Sequence, residues 1–192
     1  MILVTGGAGF IGSHTCAALA AQGLPYVILD NFSNSKPSVL DRLARITGEK
    51  PLCIEGDVRD SALLARVLRE HAITAVIHFA GLKAVGESVR EPLRYYDTNV
   101  SGTVTLLAAM RDADVRTLVF SSSATVYGDP AGSPIGEDAP LQPTNPYGQT
   151  KFMAEQILAD LDRSEPGQWR LARLRYFNPV GAHESGLIGE DP

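Results

Sequence analysis

Short apolar runs alternate with stretches of helical spacing along most of this chain. Residues 1–4 lead into a glycine-rich turn and then into residues 13–19, which read as a helix. Residues 25–30 form a second buried strand that ends in Asp30. A polar loop over 31–37 opens a helix over 39–46, closed by Gly48. Residues 52–57 read as a third strand. Asp60 then caps a helix through Leu63, Leu64, Val67, Leu68 and His71, apolar at three- and four-residue steps. Residues 75–81 make a fourth strand, an unbroken apolar run expected of a parallel strand covered on both faces. Pro92 starts a long helix from residue 93 to about 110, interrupted by Gly102. Its tyrosines and aliphatics cover more than one face, so it is either deeply buried or packed on another subunit. Residues 117–123 are the fifth strand, with hydroxyls gathered at its end. A Gly- and Pro-rich loop follows over 127–146, a length that often carries function. A helix from Tyr147 to about residue 161 and a strand over 169–178 complete the alternation.

This order predicts an α/β fold: a Rossmann-type doubly wound parallel sheet of about six strands, with helices on both faces. The 192 residues are 44% hydrophobic and 20% charged, enough for one soluble domain with a continuous core. A net charge of −5 argues against nucleic acid or an anionic membrane as partner. No apolar run approaches the roughly 20 residues of a membrane span, and the N-terminus lacks the basic n-region of a signal peptide. Cys16 and Cys53 stand alone in apolar segments, without disulfide or metal spacing, so a reducing cytoplasm is expected. His14, His71 and His183 are too scattered for a metal site, and His78 reads as a hydrogen-bonded core residue.

The candidate chemistry begins at residue 6. Strand, glycine turn and helix form the context in which Gly6, Gly9 and Gly12 bind a dinucleotide. Gly6 takes the tight turn, Gly9 lets the backbone approach a pyrophosphate, and Gly12 lets the helix lie close on the strand. The helix N-terminus then faces the anion. Asp30 lies 18 residues beyond Gly12, near the distance at which a carboxylate accepts from an adenosine ribose, which favours NAD over NADP. Asn31, Asn34 and Ser35 either contact the adenosine or serve only as a capping turn. Asp57-Val58 ends a strand, where an acceptor could take the adenine amino group. Tyr147 and Lys151 are four apart on one helix face. A nearby ammonium can lower a phenol pKa toward neutrality, and Ser123 at the fifth strand's end could hydrogen-bond the same substrate hydroxyl.

The stretches 5–12 (TGGAGFIG), 78–88 (HFAGLKAVGES), 121–128 (SSSATVYG), 147–151 (YGQTK) and 175–183 (RYFNPVGAH) together resemble the extended short-chain dehydrogenase/reductase family, and within it the UDP-glucose 4-epimerases. The resemblance spans nearly the whole chain. It implies a tightly held NAD that is not consumed and a UDP-sugar substrate, UDP-galactose or UDP-glucose. Tyr147, Lys151 and Ser123 would be catalytic. Phe10, Ile11, Phe79, Ala80, Gly81, Lys83, Asn99, Ser121 and Phe177 would join the cofactor contacts, and Lys83 and Asn178 would reach the substrate. It also implies a homodimer through the long helix and the Tyr147 helix. A related nucleotide-sugar dehydratase would need an acid pair beside the catalytic hydroxyl, where this chain has Ala124-Thr125-Val126. Family chains are much longer. Residues 1–178 are therefore expected to form the NAD-binding domain and 179–192 the start of a substrate domain that is mostly absent. A module that binds NAD without turnover is the competing expectation.

Overall fold

The computed structural model describes residues 1–130 and 132–190. Six strands form one all-parallel sheet: β1 (Ile2–Thr5), β2 (Tyr26–Asp30), β3 (Cys53–Glu55), β4 (Ala75–His78), β5 (Thr117–Ser123) and β6 (Arg170–Tyr176). Their order is β3-β2-β1-β4-β5-β6, so the connections reverse direction between β1 and β4. Such a switch point opens a crevice at the carboxyl ends of the strands.

Successive strand residues point to opposite faces, and both faces are packed. Leu3, Val27, Leu29, Val76, Leu118 and Phe120 meet Leu64 and Val67 of α3 (Ser61–Glu70), Leu106 and Met110 of α6 (Gly102–Asp112) and Leu158 of α7 (Pro146–Ser164). Val4 and Ile28 meet Cys16 and Ala17 of α1 (Phe10–Ala21) and Leu43 of α2 (Ser38–Thr47) on the other face. The expected sandwich of one sheet between two helical layers is what the chain adopts. β6 lies at the sheet edge, and its Arg170, Arg173 and Arg175 give that edge the charge that discourages further pairing.

Local signals explain most boundaries. Asp60 accepts a hydrogen bond from Leu63 N at 2.9 Å, and Asn145 accepts one from Gly148 N at 2.9 Å, with Pro146 in the first helical turn. Gly48 ends α2 in the left-handed region, at φ +85°.

The long helix differs from expectation. Past α4 (Val85–Arg90), it runs from α5 (Pro92–Tyr95) through a π turn at Tyr96–Ser101 into α6. Gly102 does not interrupt it: a Cβ there would lie 2.9 Å from Val58 Cγ2, so glycine serves close packing on the segment after β3. The tail packs back on this body. Ala182 bridges to Gly189, and Ile188 is buried in the α1–α2 side of the core.

Candidate active site

The glycine turn is tight because nothing larger fits. Gly6 sits at φ +69°, and a Cβ on it would lie 2.6 Å from Ala80 N. A Cβ on Gly12 would lie 2.2 Å from the Gly6 carbonyl oxygen and 2.8 Å from Gly7 Cα. α1 begins directly above this turn with no side-chain cap and no acid in its first turn, which leaves its positive end open. Before it runs a cleft of about 1010 Å³ across the carboxyl ends of the strands. A cradle shaped by absent Cβ atoms under an uncapped helix start fits the diphosphate of a dinucleotide.

The cleft brings together every predicted site residue except Asn99. Gly6, Gly9, Phe10, Ile11 and Gly12 line its middle; Asp30, Asn31, Asn34, Ser35, Asp57 and Val58 line one end. Phe79, Ala80, Gly81, Lys83, Ser121, Ser123, Tyr147, Lys151, Phe177 and Asn178 line the other. Asn99 lies one layer behind. It is buried in the π turn, accepts from Leu82 N at 2.8 Å and donates to Leu82 O and to Thr150 Oγ1 at 3.0 and 3.1 Å. Its amide braces the segment after β4 against α7 and does not face the cleft.

Asp30 is nearly full as an acceptor. It takes Ala8 N at 2.9 Å on Oδ2, and Phe32 N at 2.9 Å and Ser35 Oγ at 3.0 Å on Oδ1. A carboxylate offers about four acceptor positions, so one remains on Oδ2, consistent with one ribose hydroxyl. Ser35 thus also acts from behind, orienting Asp30. Asp57 has no such vacancy. Arg59 N and Nε reach Oδ1 at 2.9 Å each, while Arg59 Nη2 and Asn31 Nδ2 reach Oδ2 at 2.7 and 3.0 Å. These bonds, the Arg59 guanidinium foremost, hold its carboxyl well below the usual range. The Asp57 side chain is therefore not the free adenine acceptor expected from sequence. It ties the ends of β2 and β3 together, and Arg59 extends the tie to Asp97 at 2.5 Å.

At the opposite end α7 lies against the end of β5. Lys151, only 6% exposed, donates to Ser121 O at 2.8 Å, and its ammonium lies 6.0 Å from the Tyr147 ring centroid. Burial raises the Tyr147 phenol, and the counterweight is a hydrogen bond with Ser123. Lys151 plays no resolved part in that shift, a departure from the expectation that it lowers the phenol directly. The Ser123 oxygen already accepts from Thr125 N at 3.2 Å and Thr125 Oγ1 at 2.9 Å. Its own proton is left to point at the phenol.

Burial also depresses the Lys151 ammonium, to about 8 from 10.5. Between those values the unfolded chain binds a proton here that the folded chain lacks, so this site adds stability as pH rises through the window. Cys16 and Cys53, whose thiols burial pushes up, act in the opposite sense. The comparison is therefore wild type against Lys151→Met. Wild type should gain about 3 kcal/mol on the variant between pH 8 and 10.5, read from denaturant midpoints. Equal slopes would show that Lys151 is not desolvated.

Lys83 is half exposed and pairs with Glu190 at 3.3 Å, so the tail closes one side of the cleft. Phe177 is 60% exposed at the cleft mouth. Sequence reading missed Glu155, Arg175, Ser122 and Thr125. Glu155 was accessible in principle, being eight residues past Tyr147 on the same helix face as Lys151, as were Ser122 and Thr125, which flank Ser123; Arg175 meets the site only because β6 pairs with β5. Among the described residues no helix is long and apolar enough to cross a membrane.

Comparison with known proteins agrees with this geometry. The profile of the NAD dependent epimerase/dehydratase family matches residues 2–189. The chain is 58% identical over 192 residues to the UDP-glucose 4-epimerase of Yersinia pestis, covering all of this chain and 56% of the relative. It is also 58% identical over 191 residues to that of Bacillus subtilis, again 56% of the relative. Among solved structures it is similar to the UDP-glucose 4-epimerase of Stenotrophomonas maltophila with bound NAD and formylated UDP-arabinopyranose. There the TM-score is 0.97 at 54% identity, over 100% of this chain and 56% of that one. The Bifidobacterium longum enzyme in complex with NAD+ and UDP gives a TM-score of 0.96 at 54% identity, over 100% and 57%. The chain spans about half the length of the curated relatives it matches. With the profile matched over nearly its whole length, the chain belongs to the NAD dependent epimerase/dehydratase family.

Proposed function

We propose that this chain is the cofactor-binding and catalytic part of an enzyme that interconverts UDP-galactose and UDP-glucose by transient oxidation at sugar C4. The observation that carries the reading is the convergence of Ser123, Tyr147 and Lys151 at the end of β5, in the same cleft as the glycine cradle. Gly6, Gly9 and Gly12 would seat the diphosphate, Asp30 the adenosine ribose, and Lys151 the nicotinamide ribose. When bound, NAD supplies a reversible acceptor for the C4 hydride. Tyr147 takes the proton of the sugar 4-hydroxyl and returns it to the same oxygen once C4 is reduced from the other face. Ser123 orients that hydroxyl and shares the phenol's charge. Lys151 adds a fixed positive charge on the same side of the cleft. Phe177 would pack on the nicotinamide and Asn178 reach the substrate's phosphates.

The share of the relatives that this chain spans supports a second, compatible reading. Residues 1–178 form the NAD-binding domain, 179–192 begin the portion that completes the sugar pocket, and this polypeptide alone binds NAD with little turnover. Val85, Val89, Leu93, Val104 and Met153 leave apolar surface exposed on α4 to α7, which suits a homodimer face. The free thiols of Cys16 and Cys53 suit a reducing cytoplasm.

Calorimetry with NAD on the 192-residue chain tests the reading, expected to give saturable heat and a raised Tm. Conversion of UDP-galactose by this chain should be weak, and Tyr147→Phe should abolish what there is. No binding of NAD would refute the cofactor assignment, and undiminished turnover in Tyr147→Phe would place the base elsewhere.

A further inference from the structure

Three successive serines at the end of β5 run beside three residues spaced by four along α7. Ser123 lines the same cleft as Tyr147, the Ser121 carbonyl takes the Lys151 ammonium at 2.8 Å, and Ser122 donates to Glu155 at 2.5 Å. The third pairing lies about 12 Å along the helix from the first; Ser122 lines the cleft, and Glu155 does not. Glu155 is fully buried. Its carboxylate also receives Arg175 Nε at 2.9 Å and Arg175 Nη2 at 2.7 Å from β6. Arg175 Nη1 goes on to the Tyr127 hydroxyl at 2.8 Å and to Glu137 O at 3.0 Å, which ties in the turn after β5 and the long loop.

A buried ion pair of this kind contributes little net stability, because desolvation of both charges offsets their attraction. What it does supply is register, since a bidentate guanidinium and a serine hydroxyl fit one carboxylate in one arrangement only. Ser123 caps the turn Ala124–Tyr127 whose last residue Arg175 holds, and Phe177 and Asn178 follow Arg175 on the cleft wall. We propose that Glu155, acting through Ser122 and Arg175, is a positioning residue that fixes the end of β5 so that the Ser123 hydroxyl meets the Tyr147 phenol. The inference rests on the reading of Tyr147 as the base and names what keeps that base competent.

The groups facing Glu155 are Arg175 and Arg173 from β6 and Ser122 from β5, and those facing Tyr147 are Ser123 from β5 and Lys151 from its own helix. Removing the Glu155 charge through space alone makes a phenolate easier to form and lowers the Tyr147 pKa. Losing the Ser123 hydrogen bond raises it. The two mechanisms differ in sign.

Phenolate absorbance titration of the 192-residue chain, with the Tyr147→Phe chain subtracted, isolates one phenol among six tyrosines. Glu155→Gln should raise that pKa by roughly 0.5–1 unit. Ser122→Ala, which leaves the Glu155–Arg175 pair intact, should raise it likewise and decides the matter if Glu155→Gln does not fold. Ser123→Ala should raise it too, and adding Glu155→Gln to Ser123→Ala should change nothing further. A fall or no change in Glu155→Gln and Ser122→Ala, or full additivity with Ser123→Ala, overturns the proposal. The titration uses neither NAD nor sugar, so a chain that fails to bind NAD sinks the functional reading while this result is judged separately.

Discussion

Gly12→Ala should cost the chain at least ~100-fold in NAD affinity, the larger part of its cofactor binding. The added methyl has no place to go: it would sit 2.2 Å from the Gly6 carbonyl oxygen and 2.8 Å from Gly7 Cα, both rigid backbone. Relief requires α1 to move away from the turn. That separates the helix N-terminus from the anion it faces, and electrostatic attraction in a partly enclosed cleft falls quickly with distance. Part of the strain will appear as lower stability, because Cys16 and Ala17 on the same helix pack into the core. Gly136→Ala is the control, since nothing lies within 4 Å of a Cβ there and its backbone is unstrained. Calorimetry at matched protein concentration reads both. Unchanged affinity in a folded Gly12→Ala chain would mean that the diphosphate does not lie on this turn.

The second large effect is acid lability centred on one histidine. His78 is 2% exposed between Thr5 Oγ1, 2.6 Å from Nδ1, and Thr103 Oγ1, 3.2 Å from Nε2. Thr103 spends its own proton on Asn99 O at 2.6 Å, so it accepts from Nε2–H, and Nδ1 accepts from Thr5. The neutral ring is thus satisfied on both sides. Protonation would set a second N–H against a hydroxyl that already donates. Burial, with the Lys151 charge in support, depresses the pKa to about 3 from 6.5. The unfolded chain therefore binds a proton below pH 6.5 that the folded chain refuses, and stability falls as pH drops through that value. Between pH 6.5 and 5, above the range where carboxylates protonate, the loss should be about 2 kcal/mol. Denaturant midpoints at several pH values give the slope, and His78→Gln should flatten it in this window. A slope that persists in the variant would assign the lability to another group.

Much of the fold was legible because it is written in short-range terms. A buried parallel strand needs a continuous apolar run, a glycine turn needs glycines, and Asp60 announces a helix start by its capping chemistry. The same local logic placed Ser123, Tyr147 and Lys151, and all three line one cleft. Legibility ended where a side chain's partner comes from a distant segment. Asp57 looked like a free acceptor until Asn31, 26 positions away, joined the neighbouring Arg59 in filling it. Asn99 looked like a cleft residue, yet the π turn aims it at Leu82 and Thr150. Gly102 looked like a helix break, but Val58 packs where its side chain would be.

The sequence by itself determined the α/β alternation, the glycine cradle and which side chains carry the candidate chemistry, since each depends on residues within a few positions of one another. Only the tertiary structure decided their electrostatic states: the phenol raised by burial, the ammonium depressed by burial, Glu155 clamped by an arginine from β6. Those states follow from desolvation and from partners 20 to 40 positions away, and no local pattern encodes how deeply a group is buried or what lies across from it.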